Sequence, residues 1–305
     1  MKQMYNGIIN IYKEAGFTSH DVVAKLRGIL KQKKIGHTGT LDPEAVGVLP
    51  VCLGKGTKVC DLLTDKDKVY ETVMRLGVVT DTQDMTGKIL KEAPVRVTRE
   101  ALEAVLDQFR GDYDQVPPMY SALKVQGKKL YELAREGQII ERKARRVHIV
   151  ELELLELETD GIHVHMRVHC SKGTYIRTLC HDIGERLGCG AAMERLTRTQ
   201  VGVFKIEDAI TLDQVETYVQ NEQIDSVIRP IDSMFHMWPA GKTNVSVDRL
   251  LYNGNMLYQK DLALETGREP ETGEKIRVYD SQGQFCAVYV YDGRRRMFKN
   301  EKMFV

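Results

Sequence analysis

Residues 162–170 run Ile162-His163-Val164-His165-Met166-Arg167-Val168-His169-Cys170, and every second one is apolar. Side chains of a strand alternate between its two faces, so Ile162, Val164, Met166, Val168 and Cys170 share one face. His163, His165, Arg167 and His169 share the other. Such a strand must bury one face against a second layer and pair its edges with neighbours. The Ser171-Lys172-Gly173 turn follows at once. A helix is predicted beyond it, with Ile176, Leu179, Cys180, Ile183 and Leu187 as its apolar stripe and Gly188 as its stop. A sheet with helices packed on it is therefore required.

The rest of the chain fits that requirement without the regular alternation of a βαβ array. Thr18-Ser19 predicts an N-cap, with Val22, Val23, Leu26 and Leu30 at helical spacing. A short helix is expected from Thr57 through Leu63 and a strand from Val69 to Leu76. Thr98 is expected to cap a helix carrying Ala101, Leu102, Val105, Leu106 and Phe109, stopped by Gly111. Residues 147–157 are strand-like. The pattern loosens from Phe235 to Asn244, where Pro239 and Gly241 are breakers. Two strands are then expected, Lys275 to Asp280 and Phe285 to Asp292, joined by Ser281-Gln282-Gly283. The fold class expected is α+β, with a mixed sheet over residues 1–238 and a small β-rich module over residues 239–305.

At 305 residues the chain has room for about two domains. Charged residues make up 29% and hydrophobic ones 42%, ordinary values for a water-soluble protein. No apolar run approaches the ~18 residues that would cross a bilayer. The N-terminus lacks the apolar core of a signal peptide. The six cysteines form no C-x-x-C pair, so they are expected as reduced core thiols in a cytoplasmic protein. The three strand histidines could suggest a metal site. With no cysteine or carboxylate expected beside them, they are assigned to a hydrogen-bonding or RNA-facing surface, and no metal is expected.

Net charge is only +1. Its distribution says more. Between Asp21 and Asp42 stand Lys25, Arg27, Lys31, Lys33 and Lys34 with no acid among them. From Ser121 to His148 eight Lys/Arg, including Lys124, face three Glu. Local basic patches are the usual footprint of phosphate contact. Lys31, Lys33, Lys34 and Lys124 are the candidate backbone contacts, and Arg294-Arg295-Arg296 is either another or a solubilising tail.

The stretch Gly36-His37-Thr38-Gly39-Thr40-Leu41-Asp42-Pro43, continuing to Gly47-Val48-Leu49-Pro50, sets one carboxylate in a Gly/Thr/Pro-rich loop. Such a loop is often just a turn, but it can also hold a reactive group rigidly. Three further segments accompany it: Lys68-Val69-Tyr70 with Arg75-Leu76-Gly77; Pro117-Pro118-Met119-Tyr120-Ser121-Ala122-Leu123-Lys124; and Gly173-Thr174-Tyr175-Ile176-Arg177-Thr178-Leu179. Together with Thr18-Ser19-His20-Asp21 and Leu196-Thr197-Arg198-Thr199-Gln200-Val201-Gly202, they closely resemble the family of bacterial tRNA pseudouridine synthases that modify the T-loop uridine. One departure is visible: where the family often has Lys-Pro, this chain has Lys13-Glu14.

The resemblance implies the pseudouridine synthase fold and conversion of uridine to pseudouridine at conventional position 55 of tRNA. It implies Asp42 as the catalytic carboxylate, attacking the sugar or removing a sugar proton. Arg177 would pair with Asp42 and keep it ionised. Tyr70 would pack on the base and take part in proton transfer at C5. His37 would help extrude the base, and Tyr175 and Leu196 would line its pocket. No cofactor is implied. The C-terminal module corresponds to a PUA-type RNA-binding region. The partner implied is tRNA, at its T-loop and elbow. A monomer is expected, with no membrane and no obligate protein partner. The competing reading is a chaperone that grips the tRNA elbow with catalysis secondary. A third, the guide-RNA-dependent relatives, usually comes with partner proteins and longer extensions.

Overall fold

The computed structural model describes residues 4–305 except 122, 126 and 139. Its largest sheet has ten strands. Eight form a continuous ladder in the order Ile228–Arg229, Gly7–Lys13, Val46–Leu53, Ala191–Val201, Lys68–Leu76, His163–Cys170, Arg145–Leu157 and Gly111–Gln115. Ile35–His37 pairs beside Val46–Leu53, and Phe204–Lys205 beside Ala191–Val201. One pairing is parallel, between Val46–Leu53 and Ala191–Val201. The rest of this sheet is antiparallel, as the α+β expectation required.

The alternating strand at His163–Cys170 lies inside this sheet. Val164, Met166, Val168 and Cys170 are buried. The helix Ile176–Leu187 packs its Ile176, Leu179, Cys180 and Ile183 into the same core. Gly188 ends it at φ 79°, a left-handed angle that favours glycine. At the N-terminal side, the helix Ser19–Ile29 opens on Thr18, whose hydroxyl accepts from the Asp21 amide while the Asp21 carboxylate accepts from the Thr18 amide.

Some expected boundaries shift. The helix after the Asp42 loop begins earlier, as a 3-10 segment Gly54–Val59 continued by Cys60–Thr64. The helix capped by Thr98 ends at Asp107, not at Gly111. Its end is tied down by Arg110, whose guanidinium donates to the Leu152 carbonyl at 2.8 and 3.1 Å. Gly111 instead opens the edge strand.

Residues 240–303 form a second sheet of six strands. Lys275–Tyr279 and Phe285–Asp292 pair antiparallel within it. This sheet is joined to the first by apolar packing: Phe285, Val288 and Phe304 meet Ile231, Met234, Phe235 and Trp238. No helix among the described residues is long and apolar enough to cross a membrane.

Candidate active site

The Asp42 loop leaves the strand Ile35–His37 and returns at Val46, and it is held at nearly every step. The Leu41 amide donates to the Ser19 hydroxyl at 2.9 Å. The buried Lys13 ammonium donates to the Pro43 carbonyl at 2.8 Å and the Glu14 carbonyl at 3.0 Å. So the departure at Glu14 leaves intact the lysine that pins the loop. The Gly16 amide donates to the Pro43 carbonyl at 3.0 Å. Leu41 and Ala45 are buried in one core with Tyr70, Ile176 and Leu196. Gly47, at φ 104°, lets the chain pass the Arg198 backbone, where a Cβ would meet the carbonyl oxygen at 2.3 Å.

Asp42 and Arg177 meet across this floor. Nη2 of Arg177 lies 3.4 Å from Asp42 Oδ1 and donates to the Tyr120 carbonyl at 2.6 Å. Arg177 is in the first turn of its helix, yet its side chain is only 7% exposed, against 38% for Asp42. A surface helix cation would be the commonplace reading of its position, and burial excludes it.

The balance of charge at Asp42 differs from expectation. Desolvation by the surrounding protein pushes its carboxyl above the usual carboxylate range, and the Asp84 charge pushes the same way. Arg177 pulls it down, as expected, without cancelling the burial. The site therefore holds a carboxylate that is less willing to ionise than a free one.

Tyr70 is buried on the strand Lys68–Leu76, and burial raises its phenol above the ordinary range. Leu196 is 9% exposed on the adjoining strand. Tyr175 is the residue before the Arg177 helix and half-buried. His37 is half-buried, 5.1 Å from the His20 ring in an edge-on arrangement, and its Nδ1 has no partner. Burial, reinforced by His20, keeps its imidazole more neutral than a free histidine.

Three positions that sequence reasoning passed over complete the geometry. Asp84 Oδ2 lies 3.5 Å from Nη1 of Arg177. Its carboxylate also accepts from the Thr82 hydroxyl, the Thr86 amide and the Thr86 hydroxyl. Gln115, 1% exposed, grips the Tyr175 main chain from both sides. It accepts from the Tyr175 amide at 2.8 Å and donates to its carbonyl at 3.0 Å. Arg198 donates to the Val48 carbonyl at 2.7 Å. The available signals were slight: an acid in a Thr/Gly-rich turn, and an arginine inside a quoted motif with no role assigned to it.

Of the basic residues singled out, Lys31, Lys33 and Lys34 are exposed. Lys31 takes a left-handed φ of 50° after the first helix. Burial first, and then the charges of Lys34, Lys55 and Lys302, lower the Lys58 ammonium below its ordinary range. Lys58 in turn donates to the Met303 carbonyl at 2.8 Å, which brings the second sheet to this patch. The backbone of Lys124 is a strand residue, but its side chain lies outside the described residues, as does all of Ala122.

The strand histidines do have acids nearby, contrary to expectation. His163 reaches Asp160 at 2.6 Å and Glu194 at 3.0 Å, and His165 reaches Glu158 at 2.6 Å. Glu158, Asp160 and His163 offer three ligand atoms within 4.8 Å. His163 is already engaged on both ring nitrogens, by a hydrogen bond to Asp160 at Nδ1 and an ion-pair contact with Glu194 at Nε2. All six cysteines are free thiols, and five are buried.

The chain is similar to known proteins over nearly its whole length. Residues 27–176 match the TruB family pseudouridylate synthase N-terminal domain. Residues 177–236 match the tRNA pseudouridylate synthase B C-terminal domain. The tRNA pseudouridine synthase B of Lachnoclostridium phytofermentans is 53% identical, over 98% of this chain and 100% of its own length. That of Stutzerimonas stutzeri is 45% identical over 97% and 96%. Among solved structures, the H/ACA RNP bound to a substrate RNA containing 2′-deoxyuridine has a chain of TM-score 0.71 and 28% identity, covering 98% of this chain and 85% of that one. A Cbf5-Nop10-Gar1 complex gives TM-score 0.71 and 29% identity over the same shares.

Proposed function

The chain belongs to the TruB family of pseudouridylate synthases, which makes it an isomerase, and from that premise we propose that it converts the T-loop uridine of tRNA, at conventional position 55, to pseudouridine. The observation that carries this reading is the Asp42–Arg177 pair, held on a pinned loop beside the buried Tyr70. A protein that only gripped the tRNA elbow would have no use for a desolvated carboxylate facing a buried arginine. Binding alone is better served by exposed cations.

Asp42 breaks the N1–C1′ bond, either by attacking C1′ or by removing a sugar proton. Arg177 aims it and moderates the cost of its burial. The base then turns and rejoins through C5. Tyr70 stacks on it and takes part in moving the C5 proton, a task suited to a flat ring with a polar tip. His37 helps extrude the base, and Tyr175 and Leu196 line the pocket. Flipping costs a few kcal/mol, and phosphate contacts supply part of it. Lys31, Lys33, Lys34 and Lys124 are the proposed contacts. Residues 1–238 act as the catalytic domain and residues 239–305 as a PUA-like RNA-binding module, in a cytoplasmic monomer.

The test is release of tritium from a tRNA transcript labelled at uridine C5. Wild type should release one equivalent per tRNA, and Asp42→Asn none, with tRNA affinity largely kept. Near-normal release by Asp42→Asn would refute the proposed chemistry. Tight binding without release by either protein would favour the chaperone reading.

A further inference from the structure

Arg198 has no part in the reaction as described so far, yet it is among the largest side chains fully removed from solvent, at 1% exposure. Its Nε donates to the Val48 carbonyl at 2.7 Å. Its terminal nitrogens reach the Thr40 carbonyl at 3.5 Å and the Gly39 carbonyl at 3.4 Å. Arg177 faces two carboxylates. Arg198, among the described residues, has none within ion-pair distance. Its neighbours include further cations: burial, and to a lesser degree the Arg198 charge, lowers the ammonium groups of Lys13 and Lys68 to about 8. A buried charge without a counter-ion costs several kcal/mol and needs a compensating use.

The use is indicated by what faces it. Arg198 stands directly opposite Tyr70 in the antiparallel ladder, so the two side chains share a sheet face. The two side chains are close enough for the Arg198 charge to oppose the effect of burial on the Tyr70 phenol.

We infer that Arg198 is a positioning residue acting through Tyr70: it occupies one lone pair of the phenol oxygen while tying down the Asp42 loop, so that the hydroxyl proton and the other lone pair face the base. The inference rests on the role of Tyr70 proposed above. When the base has rejoined through C5, that carbon carries a proton to be lost, and N1 needs one. Only one ring atom separates them. The Tyr70 oxygen can take the C5 proton on its free lone pair while passing its own proton to N1. The C–H electron pair stays in the ring, and the proton count does not change. A guanidinium does not release a proton, so it fixes the oxygen without entering the exchange.

Single-turnover rates with tRNA carrying hydrogen or deuterium at uridine C5 test this, using wild type, Arg198→Lys and Tyr70→Phe. Arg198→Lys should lower the rate at least about tenfold, keep tRNA affinity within about threefold, and show a larger C5 isotope effect than wild type. A slower variant with an unchanged isotope effect would mean that Arg198 only braces the loop, and the inference falls. Wild-type speed in Tyr70→Phe would sink the Tyr70 role and this inference with it, while leaving the Asp42 assignment standing. If Arg198→Lys does not fold, Arg198→Gln, which keeps a donor and drops the charge, is judged by the same comparison.

Discussion

Asp84 lies 3.5 Å from Nη1 of Arg177, while the other terminal nitrogen of the same guanidinium faces Asp42. One buried cation thus stands between two carboxylates that come from separate loops. Asp84 is itself fixed by Thr82 and Thr86, and Thr178, next to Arg177, donates to Gln83 at 2.7 Å. The turn at residues 80–86 therefore works as a bracket for the Arg177 side chain.

Breaking the bracket should disturb chemistry more than binding. Asp84→Asn keeps the shape and most hydrogen bonds but removes the charge that holds Nη1. Arg177 would then be free to swing fully onto Asp42 or away from it. The expected loss is about 10- to 100-fold in kcat with KM changed little, since misplacement of a catalytic group by about 1 Å costs on that order. A loss confined to KM, measured by tritium release across tRNA concentrations, would show that Asp84 serves binding instead.

Much of the scaffold was legible because its signals are local. Thr18 and Asp21 write a capping box within four residues, Gly188 marks a left-handed stop, and residues 162–170 alternate one by one. The site was legible only where several motifs fell into one family pattern. Arg177–Asp84 and Arg198–Val48 span 93 and 150 residues of sequence, and no local spacing encodes them. The Asp42 carboxyl shows the same limit. That Arg177 lowers its pKa follows from charge alone, whereas the larger desolvation depends on how the folded chain surrounds it.

Gln115 offers a test of how the Arg177 helix is seated. Its amide bridges the Tyr175 amide and carbonyl and also donates to the Tyr113 hydroxyl, which donates to Asp182 at 2.6 Å. Gln115→Leu leaves the half-buried Tyr175 amide without its partner, while the Tyr175 carbonyl keeps the Leu179 amide at 3.0 Å. Such a group costs about 1–3 kcal/mol. Thermal unfolding should move down by several degrees, with activity reduced in the folded fraction. An unchanged melting temperature would mean that water takes over the bond to the amide.

The lysine patch predicts a salt dependence. Lys34 precedes the strand Ile35–His37, Lys55 and Lys58 lie in the 3-10 segment, Lys302 lies in the second sheet, and among the described residues none of the four has a carboxylate within ion-pair distance. Like charges gathered without acids suit a phosphate backbone. Lys34→Gln with Lys58→Gln should weaken tRNA binding and flatten the plot of log affinity against log salt by roughly 0.7–0.9 for each phosphate no longer neutralised. The same plot for Lys31→Gln with Lys33→Gln should flatten as well if the proposed backbone path reaches them. A parallel slope at lower affinity would show that a pair acts through structure.

Asp42 should be costly to the fold that holds it. Its carboxyl is raised in the folded state, first by burial and then by Asp84. The sign follows from linkage: a raised acid pKa means that the native state binds the proton more tightly than the unfolded chain. Below the unfolded value both states are protonated and nothing is lost. As pH rises through the folded value, the native state must hold an unwelcome charge, and stability falls relative to a neutral side chain. Asp42→Asn should therefore melt higher than wild type at pH 7.5, with the gap closing toward pH 4, while turnover is abolished. Melting curves at the two pH values decide it. A variant less stable at pH 7.5 would mean that the Arg177 contact outweighs desolvation, and that the ionised carboxylate is the form the fold prefers.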